Sequence, residues 1–197
     1  ILLKDKLNFS EKSIKKLKLF SKSLIIANKK HNFISKSTEP NIWQRHILDS
    51  AQLVKFIDFE KGSVADLGSG AGFPGIVLSV FNKNSNFHVK LFEKSNIKAD
   101  FLESIRNKLK LNCEVFGRYQ EEEINTEYVV SRAFKQLGEI LRISRETIKV
   151  SHKLIILKGK NAQDEINKLQ QPIEFRYKLE NSYTDSKSKI LKIDIKK

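Results

Sequence analysis

Four glycines fall within eight residues directly after a short apolar run, and no other stretch constrains the fold as strongly. The run from Val64 to Leu67 reads as a buried strand, and Asp66 stands near its end. The glycines are Gly68, Gly70, Gly72 and Gly75. Because glycine has no Cβ and adopts positive φ readily, such a chain can turn sharply and lie against a ligand. A strand that ends in this turn and opens a helix predicts a nucleotide-type pocket at the carboxyl edge of a sheet.

From residue 62 onward, apolar runs typical of strands alternate with segments of helical spacing. The alternation predicts a doubly wound, mostly parallel α/β sheet. The tail changes to period-two alternation, which predicts an antiparallel edge pair with a mobile polar loop over residues 181–188. The predicted strands are Val64–Leu67, His88–Phe92, Glu114–Phe116, Tyr128–Val130, Leu154–Leu157, Ile173–Leu179 and Ile190–Ile195. The predicted helices after the glycines are Pro74–Val80, Ser95–Leu111, Leu137–Val150 and Asn161–Leu169.

Two helices are predicted ahead of the glycine-rich turn. The first spans residues 8–31, where Asn8 and Glu11 have the spacing of a capping box. The second begins near Thr38, and Pro40 suits its first turn. We expect one domain over residues 1–197, in which residues 1–60 form an N-terminal helical cover and residues 61–197 the α/β core.

The charge of the chain predicts a polyanionic partner. Its 37 basic residues outnumber its 23 acidic ones and give a net charge of +14. Drift toward a lysine-rich composition is the alternative, but it leaves the shortage of acids unexplained, so we favour nucleic-acid binding. The single cysteine, Cys113, excludes an internal disulfide framework and a multi-cysteine zinc site. With no secretory signal and no run near the roughly 20 apolar residues of a membrane span, we expect a cytoplasmic location. No membrane, metal or obligate protein partner is indicated.

The glycine-rich turn fits two nucleotide-type ligands. Residues Gly70–Gly75 match G-x-G-x-x-G, the dinucleotide fingerprint, whereas Asp66–Gly72 match D-x-G-x-G-x-G, the S-adenosylmethionine loop of Rossmann-like methyltransferases. Glu93, after the second strand, serves both, because a carboxylate accepts two hydrogen bonds from ribose hydroxyls. Asp66 favours S-adenosylmethionine, since a carboxylate suits a cationic ligand better than a pyrophosphate. NAD is not excluded by the residues alone.

Five motifs occur in an order and at distances that match a known family. They are Asn32–Ser35, Arg45–Ser50, Asp66–Ile76, Ser131–Phe134 and Leu157–Gly159. Through them the chain resembles the bacterial small-subunit rRNA (guanine-N7) methyltransferases, once called glucose-inhibited division protein B. The resemblance covers roughly residues 5 to 170.

The resemblance implies a class I, Rossmann-like fold and methyl transfer from S-adenosylmethionine to N7 of a guanine in 16S rRNA. Naked 16S rRNA or the small ribosomal subunit is then the partner. Two positions depart from the family pattern: Glu93 stands where aspartate is frequent, and Gln120 replaces an acidic residue. The implied cofactor contacts are Gly68, Phe73, Tyr119, Gln120 and Arg132, to which the glycine pattern and strand end add Gly70 and Glu93.

The chemistry of guanine N7 sets what the enzyme needs. N7 carries a free lone pair and attacks a methyl group without first losing a proton, so no general base is expected and no catalytic residue is assigned. Candidate RNA contacts are Arg45, His46 and Lys158, whereas Asp49 is expected to fix its helix against the pocket. Two alternatives stay open: an NAD-linked Rossmann oxidoreductase and a non-catalytic RNA-binding module.

Overall fold

The computed structural model describes residues 2–118, 124–132, 135–169 and 176–197. Its strands are β1 (Ser63–Leu67), β2 (His88–Phe92), β3 (Cys113–Phe116), β4 (Tyr128–Arg132), β5 (His152–Lys158), β6 (Arg176–Asn181) and β7 (Lys189–Ile195). They form one sheet of order β3-β2-β1-β4-β5-β7-β6. The first five strands are parallel, and β7 runs antiparallel to both of its neighbours. The predicted mostly parallel sheet with an antiparallel edge pair is confirmed, although the residues before 176 in the predicted sixth strand lie outside the described ranges.

The helices agree with the predicted positions and differ at their ends. They are α1 (Glu11–His31), α2 (Asp49–Ala51), α3 (Gly75–Phe81), α4 (Asn96–Leu109), α5 (Leu137–Thr147) and α6 (Ala162–Asn167). Short 3-10 and π-helical turns precede and follow α2, so residues 39–56 form an irregular helical segment. The predicted cap at Asn8 is wrong: Ser10 caps α1, and its Oγ accepts a hydrogen bond from the Ser13 amide at 3.1 Å.

Two apolar layers sandwich the sheet. One face packs against α1, α3, α4 and the helical segment of residues 39–56, and its cluster runs from Leu7 to Ile190. The other face packs against α5 and carries Val129, Leu154 and Ile193. All five residues of β1 are buried, as expected for a central strand covered on both faces. The carboxyl end of β1, where the glycine-rich turn begins, is therefore held by strands on either side and helices on both faces.

The loop between β6 and β7 is bonded to the N-terminal cover. The Gln44 side chain donates to the Thr184 carbonyl at 3.0 Å, and the Tyr183 amide donates to the Gln52 side chain at 2.9 Å. Arg45 pairs with Asp185 at 3.2 Å. Residues 183–185 of the loop predicted to be mobile are thus bonded to the cover, and these contacts oppose such mobility.

Three general features of the described residues bear on function. No helix in the described ranges has the length and apolarity to cross a bilayer. These ranges also hold no group of three or more His, Cys, Asp and Glu side chains placed to bind a metal ion. Cys113 is buried at the start of β3, and burial raises the pKa of its thiol to about 11. This thiol is therefore protonated near neutral pH and poorly nucleophilic.

Candidate functional site

The glycine-rich turn leaves β1 and exposes backbone on one side. Gly68, Gly70 and Gly72 have φ of +77°, +57° and +99°, the left-handed region that favours glycine. A Cβ added at Gly72 would lie 2.7 Å from Cγ1 of Ile76, so this glycine is required by packing. A Cβ added at Gly70 would meet only the Gly68 carbonyl oxygen, at 3.8 Å. The backbone at Gly70 therefore faces open space, as a ligand-binding turn requires.

Asp66 supports the turn from below. Its carboxyl group is fully buried, and Oδ2 accepts a hydrogen bond from the Gly75 amide at 2.8 Å. Oδ1 has no hydrogen-bond partner among the described residues. Burial raises the pKa of Asp66 to about 7, although the hydrogen bonds from Gly75 and Ser69 act to lower it. The expectation that Asp66 faces a cationic ligand is wrong, because its carboxyl group joins β1 to the start of α3 beneath the turn.

Glu93 joins the turn to the end of β2. Its carboxylate is buried, with Oε2 accepting from the Gly70 amide and Oε1 from the Ser95 amide, both at 2.8 Å. Each carboxylate oxygen can accept two hydrogen bonds, so each retains capacity for a ribose hydroxyl. A cleft of about 660 Å³ lies beside it, lined by residues 94–97, Gly117 and Arg118 at the ends of β2 and β3. An adenosyl group fits this arrangement, because the turn is open at Gly70, Glu93 offers acceptors for the ribose and a cleft adjoins them.

Phe73 lies inside the fold. Its ring is buried and packs against the rings of Phe20 and His46, with centroids 5.2 Å and 5.1 Å away. The guanidinium of Arg132 lies over the same ring, 5.0 Å from its centroid. Any cofactor contact at Phe73 therefore falls to its backbone, while its ring supports Arg132 and the N-terminal cover.

A larger cleft opens between the N-terminal cover and the carboxyl ends of β4 and β5. Its volume is about 920 Å³. It brings together Arg132 and all three residues predicted to contact RNA, which come from three separate parts of the chain. Its lining includes Phe33, Arg45, His46, Asp49, Arg132 and Lys158. This is the edge of a parallel sheet where ligands bind in such folds.

The residues predicted to contact RNA differ in the partners they already have. Arg45 is half exposed and pairs with Asp185, whereas the Lys158 ammonium is nearly buried and lies 2.7 Å from Glu165. The Nε2 atom of His46 is 2.9 Å from Oγ1 of Thr38. Burial lowers the pKa of His46 to about 4, with Arg132 and Arg45 adding to the effect, so the ring is neutral near pH 7. The predicted cofactor contacts Tyr119 and Gln120 lie outside the described residues.

Arg132 sits between charges of both signs. It donates to the Arg45 carbonyl at 3.0 Å. Burial lowers the pKa of Arg132, while Asp49 and Asp66 act in the opposite direction. An arginine retains its positive charge in this setting, because its ordinary pKa is far above neutral. Arg132 therefore presents a fixed cation in the cleft, suited to a carboxylate or a phosphate.

Sequence reasoning missed the partners that orient Asp49. Its Oδ1 accepts hydrogen bonds from Thr184 at 2.8 Å and from Gln52 at 3.0 Å. Thr184 is 135 positions away in the chain, and no local pattern links the two. Burial raises the pKa of Asp49, opposed by the Thr184 hydrogen bond and by Arg132 and Arg45. The expectation that Asp49 fixes its helix is consistent with these bonds.

Known proteins match both the sequence and the fold. The family model described as "rRNA small subunit methyltransferase G" matches residues 13–193. The chain is 36% identical to Ribosomal RNA small subunit methyltransferase G of Pelagibacter ubique, over 98% of this chain and 92% of the relative. It is 39% identical to the protein of the same name from Orientia tsutsugamushi, over 95% of this chain and 93% of the relative.

Solved structures support the fold at low sequence identity. A SAM dependent methyltransferase from Aquifex aeolicus matches with a TM-score of 0.60 and 17% identity, covering 81% of this chain and 94% of that one. A mutant of MtNAS in complex with S-adenosylmethionine matches with a TM-score of 0.62 and 14% identity, covering 100% of this chain and 82% of that one. These structures show the fold alone, whereas the family match over residues 13–193 and the two relatives at 36% and 39% identity show that the chain belongs to the GidB family of rRNA small subunit methyltransferase G.

Proposed function

We propose that this protein transfers a methyl group from S-adenosylmethionine to N7 of a guanine in 16S rRNA. Membership of the rRNA small subunit methyltransferase G family supports the cofactor and the RNA substrate. The choice of guanine N7 follows from the family resemblance of the motifs. The single structural observation that supports the proposal most directly is the open backbone at Gly70, held by the Glu93 carboxylate at 2.8 Å.

The residues around the turn divide the work of holding the cofactor. Gly68 turns the chain at a positive φ, Gly70 supplies open backbone, and Glu93 supplies acceptors for ribose hydroxyls. Arg132 offers a cation for the carboxylate of the methionine moiety or for an RNA phosphate. Tyr119 and Gln120, after β3, remain proposed contacts on the adenine side. When bound, S-adenosylmethionine supplies a methyl group on a cationic sulfur.

The protein's contribution to the reaction is placement. Guanine N7 needs no proton removed before it attacks, so the chain has only to align N7 with the methyl carbon and exclude water. Alignment of two reactants can lower a barrier by about 7–11 kcal/mol. His46 is a weak base, because its pKa is lowered to about 4, and Lys158 is ion-paired, so both agree with a site that does not transfer protons. Arg45, His46 and Lys158 stay proposed RNA contacts.

The two alternatives are weaker. An NAD-linked oxidoreductase is not favoured, because the family match and the methyltransferase neighbours both point to S-adenosylmethionine. A non-catalytic RNA-binding module would bind RNA without affinity for the cofactor, and the open turn beside Glu93 argues against it.

We also propose the setting in which the protein works. Residues 1–197 act as one methyltransferase domain, because a single apolar cluster joins the N-terminal cover to the sheet. The small ribosomal subunit or its 16S rRNA is the partner, with no obligate protein partner. A cytoplasmic location follows from that substrate.

Mass-spectrometric mapping of 16S rRNA tests the proposal. Unmethylated rRNA and small subunits are incubated with the protein and S-adenosylmethionine, and one 7-methylguanosine is expected. Gly68→Asp should abolish the product, because it adds a side chain and a negative charge at a φ of +77°. Asn86→Asp adds the same charge at an exposed turn and should leave activity unchanged. Absence of product from the unaltered protein on both substrates would overturn the proposal.

A further inference from the structure

Asp49 lines the larger cleft and is oriented by neutral donors. Its Oδ1 accepts hydrogen bonds from Thr184 Oγ1 at 2.8 Å, Gln52 Nε2 at 3.0 Å and Ser182 Oγ at 3.5 Å. These donors come from two parts of the chain, the helical segment of residues 39–56 and the loop between β6 and β7. The side chain is thereby held in one orientation at the wall of the cleft.

The second carboxylate oxygen of Asp49 is left uncommitted. Oδ2 accepts no hydrogen bond from any described residue, and it is not among the fully buried unpaired atoms, so it keeps some exposure at the wall of the cleft. No lysine or arginine of the described ranges lies within ion-pair distance of the carboxylate, although Arg132 and Arg45 are close enough to influence it. A carboxylate of this kind accepts hydrogen bonds from a ligand that offers N–H donors.

We propose that Asp49 reads the Watson–Crick edge of the target guanine. The inference rests on the proposed function and deepens it. Guanine carries N–H donors at N1 and at the 2-amino group, whereas adenine presents an acceptor at N1. Single-stranded RNA bases are commonly recognised through hydrogen bonds on this edge. Because N7 lies on the Hoogsteen edge, a base held by Asp49 through the Watson–Crick edge keeps N7 free to meet the methyl group.

The composition of the cleft favours a base over the cofactor as the partner of Asp49. The described lining residues come from the N-terminal cover, the ends of β4 and β5, the elements around α5 and α6, and Ser188 before β7, and none comes from Gly68–Gly72. The proposed ribose acceptor Glu93 is hydrogen-bonded to Ser95, which lines the separate cleft at the ends of β2 and β3. The attack by N7 leaves the base cationic while the carbon–sulfur bonding pair stays on sulfur, and a nearby carboxylate favours that charge.

Asp49→Asn, measured on two RNA substrates, tests the proposal. One substrate carries guanine at the target position and the other carries inosine, which lacks the 2-amino group. We expect the substitution to lower kcat/KM on guanine by about 10- to 100-fold, the usual range for a hydrogen bond to a charged group. With inosine in place of guanine, we expect kcat/KM of the unaltered enzyme to fall by about 10-fold and that of the variant by less than about 3-fold.

A matched control separates recognition from structure. Thr184→Val removes a donor to Asp49 but keeps the carboxylate, so the penalty for inosine should persist. Equal inosine penalties in the unaltered enzyme and in Asp49→Asn would overturn the proposal. So would an increase in the Kd for S-adenosylmethionine that matches the loss of kcat/KM, because Asp49 would then contact the cofactor. If the unaltered enzyme methylates no guanine, the proposed function fails, and this inference fails with it.

Discussion

The two sides of the site are built from interactions of different sequence range. The side proposed to bind the cofactor consists of Asp66, the glycine-rich turn and Glu93, and we call it the cofactor side. Its Asp66–Gly75 and Glu93–Gly70 hydrogen bonds join residues 9 and 23 positions apart. The other side is the larger cleft beside the N-terminal cover, and we call it the substrate side. There Arg132 bonds to the Arg45 backbone 87 positions away, and Thr184 bonds to Asp49 across 135 positions. The first side is thus encoded in about one β-α-β unit, whereas the second exists only when both ends of the chain have assembled.

This difference has a functional meaning. Damage to the cofactor side should remove binding of S-adenosylmethionine, because the turn itself is altered. Damage to the substrate side should spare that binding and impair RNA methylation. Five changes probe the two sides, beginning with the largest expected effect.

The buried carboxyl of Asp66 predicts a pH dependence of stability that belongs to the cofactor side. Its pKa is raised from 3.8 to about 7 in the fold, so the folded state holds this proton more tightly than the unfolded state. As the pH rises from 4 to 8, the free energy of unfolding of the unaltered protein should therefore fall relative to that of Asp66→Asn, by up to roughly 4 kcal/mol. Urea titrations of both proteins across this range measure the difference. A difference that does not change with pH would contradict the assignment.

Gly75→Ala should destabilise the cofactor side by steric conflict. The added Cβ would lie 2.2 Å from Leu91 Cδ2 and 2.6 Å from the Asp66 carboxylate. Overpacking together with disturbance of the buried hydrogen bond should lower the free energy of unfolding by about 3 kcal/mol. Chemical denaturation measures it, with Gly159→Ala as the control, since a Cβ there meets no atom within 4 Å. Similar stabilities for the two variants would show that the turn can relax.

Glu93→Ala should weaken the binding of S-adenosylmethionine. The carboxylate accepts hydrogen bonds from the Gly70 and Ser95 amides and is proposed to accept from the ribose, so its loss should raise the Kd for S-adenosylmethionine by about 10- to 100-fold. Isothermal titration calorimetry gives the value. Glu114→Ala, at an exposed carboxylate on β3, should leave Kd unchanged. Equal Kd values for Glu93→Ala and Glu114→Ala would show that Glu93 does not contribute to binding of S-adenosylmethionine.

The range of each interaction also explains how much could be predicted from the sequence. The glycine turn, Glu93 and the strands next to them follow short patterns, and β2 matches its predicted bounds at both ends. The burial of Asp66 could not be read from the motif, because a carboxylate at a strand end can point to either face. The bonds that fix residues 182–185 could not be predicted, since these residues look like any polar loop until β7 pairs with β5.

Gln52→Leu should break the substrate side from within. The amide is 1% exposed and bonds to Asp49, to Ser182 and to the Tyr183 backbone. Its loss should lower the free energy of unfolding by about 2 kcal/mol, because buried partners are left unpaired. Methylation of rRNA should fall, while affinity for S-adenosylmethionine stays within about 2-fold. Thermal unfolding and calorimetry together provide the check.

Asp185→Ala should have the smallest effect. It removes the ion pair with Arg45 at the rim of the substrate side, where both side chains are partly exposed. Ion pairs between exposed groups contribute little to stability, and the contribution weakens with added salt. If Asp185→Ala lowers the free energy of unfolding more than Gln52→Leu does, the ion pair at the rim, rather than the buried Gln52 amide, fixes the loop between β6 and β7.

The division between the two sides is tested most directly by measuring cofactor affinity and rRNA methylation on the same preparations of Glu93→Ala and Gln52→Leu. The account predicts that Glu93→Ala loses affinity for S-adenosylmethionine, whereas Gln52→Leu retains that affinity and loses methylation of 16S rRNA. Loss of cofactor affinity to the same degree in both variants would contradict it, because the two sides would then form one inseparable unit.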